Sequence, residues 1–265
     1  MKSEFINGSR YENPFIKELK NECEEKNWID LELAFRNEIE NYILRKNKYT
    51  PTNINTSWQT ITNNMGLYFK KFFDTKPNAY ERMKKDSCAY HFYKKLDKHD
   101  KIYTFNYTNP YQFINKELSV QHVHGELVFL NDFYRDLILG VDKGLYDKIN
   151  KEKYLVPLFK EYNSRCKDSA LITKLSQTTE LIIWGHSLGI TDSDYFRDFF
   201  NNLTEGNSRC KCISIITKNK QARDTIVESL KTWDVYLDKL KVNCLIHFYY
   251  TENTNEEYNQ FLSNL

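Results

Sequence analysis

The sequence predicts an α/β protein, a mostly parallel sheet preceded by an N-terminal helical portion. Three observations carry this. Apolar residues recur at three- and four-residue steps up to about residue 98; short β-rich runs alternate with helical stretches from Lys101 onward; residues 180–200 read as strand, glycine-bracketed loop and helix. Strands that alternate with helices are joined by crossovers, so neighbouring strands run parallel and both faces of the sheet are covered. The division that follows is 1–98 for the helical portion and 99–265 for the α/β core, either as two small domains or as one continuous domain.

The helical portion opens at Asn13-Pro14, a cap followed by proline at the first helical position, and its first helix runs to about Glu25. Trp28, Leu31, Phe35, Ile39, Tyr42 and Ile43 form an amphipathic stripe that ends near Lys46. Pro51 and the Asn/Thr-rich segment 50–56 predict a loop. Trp58, Ile61, Met65, Tyr68, Phe69, Phe72 and Phe73 make a second stripe, and Pro77 starts a third with Tyr80, Met83, Tyr90, Tyr93 and Leu96. The ordinary meaning of such aromatic stripes is helix-bundle core.

Beyond Lys101, Ile102–Asn106 predicts a strand running into Tyr107-Thr108-Asn109-Pro110, where Asn109-Pro110 starts a short helix. Val120–His124 predicts a second strand, closed by Gly125, and Leu137–Leu139, ended by Gly140, a third. Leu158, Phe159 and Tyr162 anchor a covering segment, after which a helix reaches Leu175. Leu181–Trp184 is too short for a buried helix and reads as a strand, while Asp192 and Ser193 offer side-chain oxygens to the free N–H groups of the helix that follows. Cys210–Thr217 is a further strand. Asn219 caps one helix carrying Ala222, Ile226, Leu230, Trp233, Leu237 and Leu240, Cys244–Tyr249 is the last strand, and Glu256–Leu262 a terminal helix. There is no internal repeat.

Composition excludes several classes. The 38 basic and 36 acidic residues are spread throughout for a net charge of +2, without the concentrated positive footprint that a nucleic-acid backbone requires. No run approaches the roughly 20 apolar residues of a membrane span, and Met1-Lys2-Ser3-Glu4 does not open a signal peptide, so a cytoplasmic protein with no membrane partner is expected. Six scattered cysteines without a secretory signal predict reduced thiols. Cys210 and Cys212, two apart in one strand, read as a small buried pair rather than half a zinc site, since no second pair stands at finger spacing.

Chemistry-bearing residues concentrate at three strand ends: Thr104-Phe105-Asn106-Tyr107-Thr108, His122-Val123-His124-Gly125 and Gly185-His186-Ser187-Leu188-Gly189. In a parallel sheet these ends converge on one crevice, and a helix N-terminus facing it favours anions. A hydrolase reading takes Ser187 as a Gly-x-Ser-x-Gly nucleophile with Asp234 or Asp238 and His247. Two features oppose it: the capping signal at Thr191–Asp194 lies downstream of the serine instead of at it, and His247 falls inside a predicted strand. A metal reading uses His122 and His124, on the same side of one strand, with His186 or Asp142 as third ligand, but no carboxylate cluster stands near in sequence.

These motifs, with Asn27-Trp28-Ile29-Asp30-Leu31-Glu32 before them, Ile138-Leu139-Gly140 between them and Asp192–Phe196 after them, resemble in that order the AbiH-type bacteriophage abortive-infection family, over about residues 13 to 250. The resemblance implies bacterial antiphage defence, in which infected cells are sacrificed or arrested. That family is in turn distantly similar to sirtuin-type NAD-binding proteins, which implies a sirtuin- or Rossmann-like sheet and NAD as ligand. Thr104 and Asn106 match the Thr-x-Asn motif of that pattern, His124 and Gly125 its His-Gly, and Gly185, Ser187 and Leu188 its Gly-x-Ser-Leu. The resemblance then implies that Asn106 bonds the nicotinamide ribose, that His124 acts as general base, and that Thr104, Gly125, Gly185, His186, Ser187 and Asp192 surround the dinucleotide. The implied reaction is cleavage of the nicotinamide–ribose bond, and the alternative is a non-catalytic sensor or toxin partner that binds a phage or host protein. Thr108 replaces the carboxylate expected after Asn106, and the family's Gly-rich phosphate turn has only a faint echo in Phe5-Ile6-Asn7-Gly8-Ser9. The chain is therefore expected to start downstream of the family's usual beginning, with weakened dinucleotide affinity.

Overall fold

The computed structural model describes residues 33, 36, 37, 39–41, 54, 56, 58–60, 85, 87–108, 114–126, 140–142, 144–146, 155–160, 170–252 and 256–265. The chain divides into two compact units. The first comprises Met1–Met83, Lys101–Phe113 and Ser119–Asp168, the second Lys84–Asp100, Ile114–Leu118 and Ser169–Leu265. Helix and sheet are mixed, and both small sheets are parallel. No helix among the described residues is long and apolar enough to cross a membrane.

In the first unit, strands β1 (Ile102–Thr104) and β2 (Val120–His122) pair in parallel, with Thr104 opposite His122. Val123 N–H donates to the Thr104 carbonyl at 2.8 Å and prolongs the pairing by one bond. The second strand thus stops at His122, and Val123 and His124 belong to the turn that follows. A further parallel bridge joins Val141 to Phe159, through Val141 N–H to the Leu158 carbonyl at 2.9 Å and Lys160 N–H to the Val141 carbonyl at 3.1 Å. Gly140 makes this approach possible: a Cβ there would stand 2.9 Å from both the Leu158 oxygen and Lys160 Cγ. Among the described residues of this unit, Ile39, Ile54, Trp58, Val123, Val141, Leu145, Leu155, Leu158 and Phe159 are the buried apolar ones. The helical expectation holds at residues 33, 36, 37 and 39–41. The loop expected over 50–56 does not hold where it is described, because Ile54 and Thr56 are helical. Ile54 and Trp58 lie one turn apart and are both buried, so burial of that face outweighs the local Asn/Thr propensity.

In the second unit, α1 (Cys88–Lys95) has its own start. Ser87 caps it, the side chain accepting from Tyr90 N–H at 3.2 Å, so the helix carrying Tyr90 and Tyr93 begins at Cys88. It buries Phe92, which stacks on Trp184 with ring centroids 4.3 Å apart, and Asn115 donates to the Leu96 carbonyl at its C-terminal end. After α2 (Ala170–Gln177), strands β3 (Glu180–Trp184), β4 (Cys212–Thr217) and β5 (Leu245–Tyr250) form a parallel sheet in that order. The central strand is buried from Ile213 to Thr217, as expected of a strand covered on both faces. Helix α3 (Ser193–Thr204) follows β3 and buries Tyr195, Phe196, Phe199, Phe200 and Leu203, packing against α2 and the later α5 (Leu237–Asn243).

The single helix expected after Asn219 is two. Asn219 does cap α4 (Lys220–Lys231), accepting from Ala222 N–H at 3.1 Å. The helix then closes with Val235 N–H on the Leu230 carbonyl and Asp234 N–H on that of Lys231, with Asp234 at φ +63. This is a left-handed helix stop in which an aspartate replaces the usual glycine, and it turns Trp233 and Val235 into the core. Helix α6 (Glu256–Asn264) ends the chain and buries Tyr258.

Candidate functional site

Thr104 and Asn106 define the end of β1. Thr104 is buried, and its Oγ1 accepts from Asn106 N–H at 3.1 Å, which bends the chain out of the strand. The Asn106 carbonyl lies 2.8 Å from His122 Nδ1, so that nitrogen carries a proton and donates. The Asn106 side chain is exposed, and its amide has no hydrogen-bond partner among the described residues. Backbone bonds on either side thus fix the residue while its amide is left to solvent or ligand.

His124 is buried one turn beyond β2 and only 4% exposed. Its ring meets Phe105 edge-on at 5.0 Å and lies tilted 6.3 Å from Tyr107. Lys160 Nζ stands 3.3 Å from His124 Nε2, with Lys160 itself buried. An ammonium can only donate, so Nε2 is the acceptor and the neutral imidazole carries its proton on Nδ1. Gly125 follows at φ +83 and releases the chain from the turn. His122 and His124 therefore do not act as a pair: His122 faces the Asn106 carbonyl and, at 3.7 Å, Glu126, whereas His124 faces Lys160. Asp142, the other ligand of the metal reading, is 1% exposed and bound to Arg36 Nε at 2.6 Å. Its Oδ1 also accepts from Gly144 N–H at 3.0 Å. Among the described residues no group of three His, Cys, Asp or Glu side chains is placed to hold a metal ion.

The remaining candidates sit in the second unit. Gly185 leaves β3 at φ +62, where only glycine is unstrained, and its N–H donates to the Ile216 carbonyl at 2.9 Å. His186 Nδ1 accepts from Leu188 N–H at 2.9 Å, and Nε2 faces Asp192 Oδ2 at 3.4 Å. The backbone N–H thereby selects the tautomer with the proton on Nε2, directed at the carboxylate. Leu188 is held at φ +50 with its side chain fully buried. Asp192 precedes α3 but makes no side-chain capping bond, and Ser193 is buried with its Oγ accepting from Arg197 at 3.2 Å. The capping expected of these two side chains is not observed. A turn of 3-10 helix over Ile190–Asp192 meets the helix instead, and His186 takes the carboxylate. Ser187 is exposed and its hydroxyl has no hydrogen-bond partner among the described residues. An activated serine nucleophile needs a hydrogen-bonded base and sits itself in the strained elbow position. Here the positive φ belongs to Leu188, and His247 lies within β5.

Sequence reasoning missed Lys160 and Arg36. Lys160 follows two correctly expected apolar anchors, Leu158 and Phe159, and a charged residue in that place reads as surface. The motif at residues 27–32, Ile138-Leu139, Asn109-Pro110 and the segment Phe5–Ser9 lie outside the described residues. The expected buried cysteine pair exists with a different mate. Cys210 and Cys244, both buried, are within thiol hydrogen-bond reach of each other, while Cys212 opens β4 and is half-buried. Burial pushes the Cys244 thiol up to about 12, with the neighbouring Cys210 adding to the effect. Cys88, Cys210, Cys212 and Cys244 are all free thiols.

Comparison with curated proteins gives no match, and neither does comparison with solved structures. Comparison with family models does: one described as bacteriophage abortive infection AbiH matches residues 3–214, a span that includes Asn106, His124 and the Gly185–Gly189 loop. With four-fifths of its length accounted for in this way, the chain belongs to the AbiH family of bacteriophage abortive-infection proteins.

Proposed function

We propose that this protein acts in antiphage defence by binding NAD and cleaving its nicotinamide–ribose bond, with Asn106 and His124 as the reacting-centre residues. The observation that supports this reading best is the end of the β1–β2 pair. There an exposed asparagine, whose amide has no hydrogen-bond partner among the described residues, follows β1, and a buried imidazole, whose tautomer is defined by Lys160, follows β2. The Asn106 amide has both a donor and an acceptor for a ribose diol. A buried neutral imidazole is suited to take a proton from a sugar hydroxyl or from water near neutral pH. Lys160 gives the step a gate, because its ammonium occupies the Nε2 lone pair that a general base must use. A negatively charged substrate attracts that ammonium and so frees Nε2, which couples the base to the arrival of an anion. The two sheets, each parallel and each with motifs at its strand ends, support reading the fold as sirtuin- or Rossmann-like.

Incubation with NAD and measurement of nicotinamide release tests this. The intact chain is expected to release nicotinamide, and Asn106→Ala and His124→Ala each to lower the rate by about 100-fold or more, the scale of a lost acid–base or positioning group. No release from folded protein under conditions in which it protects cells from phage overturns the enzymatic reading.

One observation favours a second reading. His124 is 4% exposed and its acceptor nitrogen is already satisfied, which suits a structural histidine in a non-catalytic sensor or toxin partner that binds a phage or host protein. Cells that stay protected when both Asn106 and His124 are replaced by alanine support that reading against the enzyme.

A further inference from the structure

In the second unit, the first turn of α1 and the carboxyl ends of β3, β4 and β5 line an open groove of about 410 Å³. Open parallel sheets hold ligands at this end of their strands. The character of the walls is uniform. Among the described residues that line the cleft, Lys218 is the only charged one and none is a carboxylate. The N–H groups of Cys88 and Ala89, the first two of α1, have no acceptor within the helix, and the Ser87 hydroxyl is already used on Tyr90 N–H. Gly185 at φ +62 brings bare backbone to one corner, where an added Cβ would meet nothing within 4 Å.

A second observation is independent of the helix end. Thr217, at the end of β4, lines the cleft and is only 6% exposed, yet its hydroxyl has no hydrogen-bond partner among the described residues. Its backbone is fully engaged, the carbonyl accepting from Thr251 N–H at 2.9 Å. The Thr217 oxygen is not one of the sealed, unpartnered side-chain atoms of the described residues, so it opens to the cleft that it lines and can take a partner from there. The walls are also fixed in place. The Cys88 thiol donates to the Thr251 carbonyl at 3.7 Å, the Tyr258 hydroxyl to the Cys88 carbonyl at 3.4 Å, and Phe92 stacks beneath Trp184.

We infer that this cleft binds a phosphate group, taken up by the Cys88 and Ala89 N–H groups, the Thr217 hydroxyl and the Lys218 ammonium. The inference is separate from the bond cleavage assigned to Asn106 and His124, and Gly185, which the resemblance puts around a dinucleotide, is the one residue that the two readings share.

Amide NMR of the full chain, titrated separately with inorganic phosphate, AMP and adenosine, tests it. Phosphate and AMP are expected to shift the amides of Cys88, Ala89 and Lys218, and adenosine is expected to leave them in place. AMP binding at least tenfold tighter than phosphate identifies a nucleotide as the carrier, and equal affinities identify the free anion; both uphold a phosphate site. Lys218→Glu, at an exposed position, is expected to weaken AMP binding at least tenfold with an unchanged melting temperature, and Thr217→Val at least threefold. The inference is overturned by no shifts at millimolar phosphate and AMP, by adenosine binding as tightly as AMP, or by affinity unchanged in Lys218→Glu. Because nicotinamide release is scored on Asn106→Ala and His124→Ala, failure of either idea leaves the other readable.

Discussion

At the scale of single residues, the candidate site turns on Lys160. Its ammonium, 3.3 Å from His124 Nε2, decides which imidazole nitrogen holds the proton. Nitrogen-15 NMR of the histidine rings is expected to report a protonated Nδ1 and an acceptor Nε2 for His124, and Lys160→Met to abolish that preference while the protein stays folded. An Nε2–H tautomer in the native chain would contradict this arrangement. The cysteines give a pH-dependent counterpart. The folded Cys244 thiol keeps its proton to about 12, while its ordinary value is near 9.0. Between those values the folded state binds a proton that the unfolded chain has lost, so stability is full below about pH 9 and falls as pH rises toward 12. A urea midpoint that declines over this window, and declines less in Cys244→Ala, is the expected result. Thr104, Asn106 and His124 were legible as strand-end residues, because turn chemistry is written locally. Their partners were not, because Lys160 lies 36 residues from His124 and reaches it through the Val141–Phe159 bridge.

At the scale of elements, termini decided most of the differences between expectation and structure. Ser87 starts α1 where the sequence reading ran a helix on from Pro77, and Asp234 stops α4 where it ran one on to Leu240. Both residues carry cap chemistry, but each is embedded in an apolar period that continues past it, and periodicity outweighed the punctuation. Ser87→Ala is expected to cost about 1 kcal/mol, the usual value of an N-cap, as measured by chemical denaturation. Gly206, at φ +76 after α3, closes that helix through its N–H to the Leu203 carbonyl, while Asn243 donates to the Leu203 and Thr204 carbonyls at 3.0 Å. Gly206→Ala is expected to cost about 1–2 kcal/mol through the left-handed backbone alone, since an added Cβ would approach no atom closer than 3.5 Å. The strands were more legible than the helix ends. Each of β3, β4 and β5 falls within two residues of its expected start, because β-rich runs bounded by turn residues are short and self-limiting.

At the scale of the whole molecule, the two compact units are interleaved in sequence, so neither is a contiguous piece of the chain. The second takes α1 from the middle of the first unit's sequence, and α1 supplies the Phe92 ring on which Trp184 stacks. A fragment of residues 169–265 is therefore expected to bind a hydrophobic dye and to melt without a cooperative transition, and a sharp transition in that fragment would contradict the need for α1. The family match runs from residue 3 to 214 and so draws on segments of both units. By itself the sequence determined the alternation of strands and helices, their parallel order, the motifs at the strand ends and, through those motifs, the family, because periodicity, turn chemistry and motif order are properties of neighbouring residues. Only the tertiary structure decided that Lys160 meets His124, that Asp192 turns to His186 and not to its helix, that Cys244 and not Cys212 is the mate of Cys210, and that the Thr217 hydroxyl has no hydrogen-bond partner among the described residues. The direction and pairing of a buried polar side chain are set by whatever packing brings against it, and those neighbours come from distant parts of the chain.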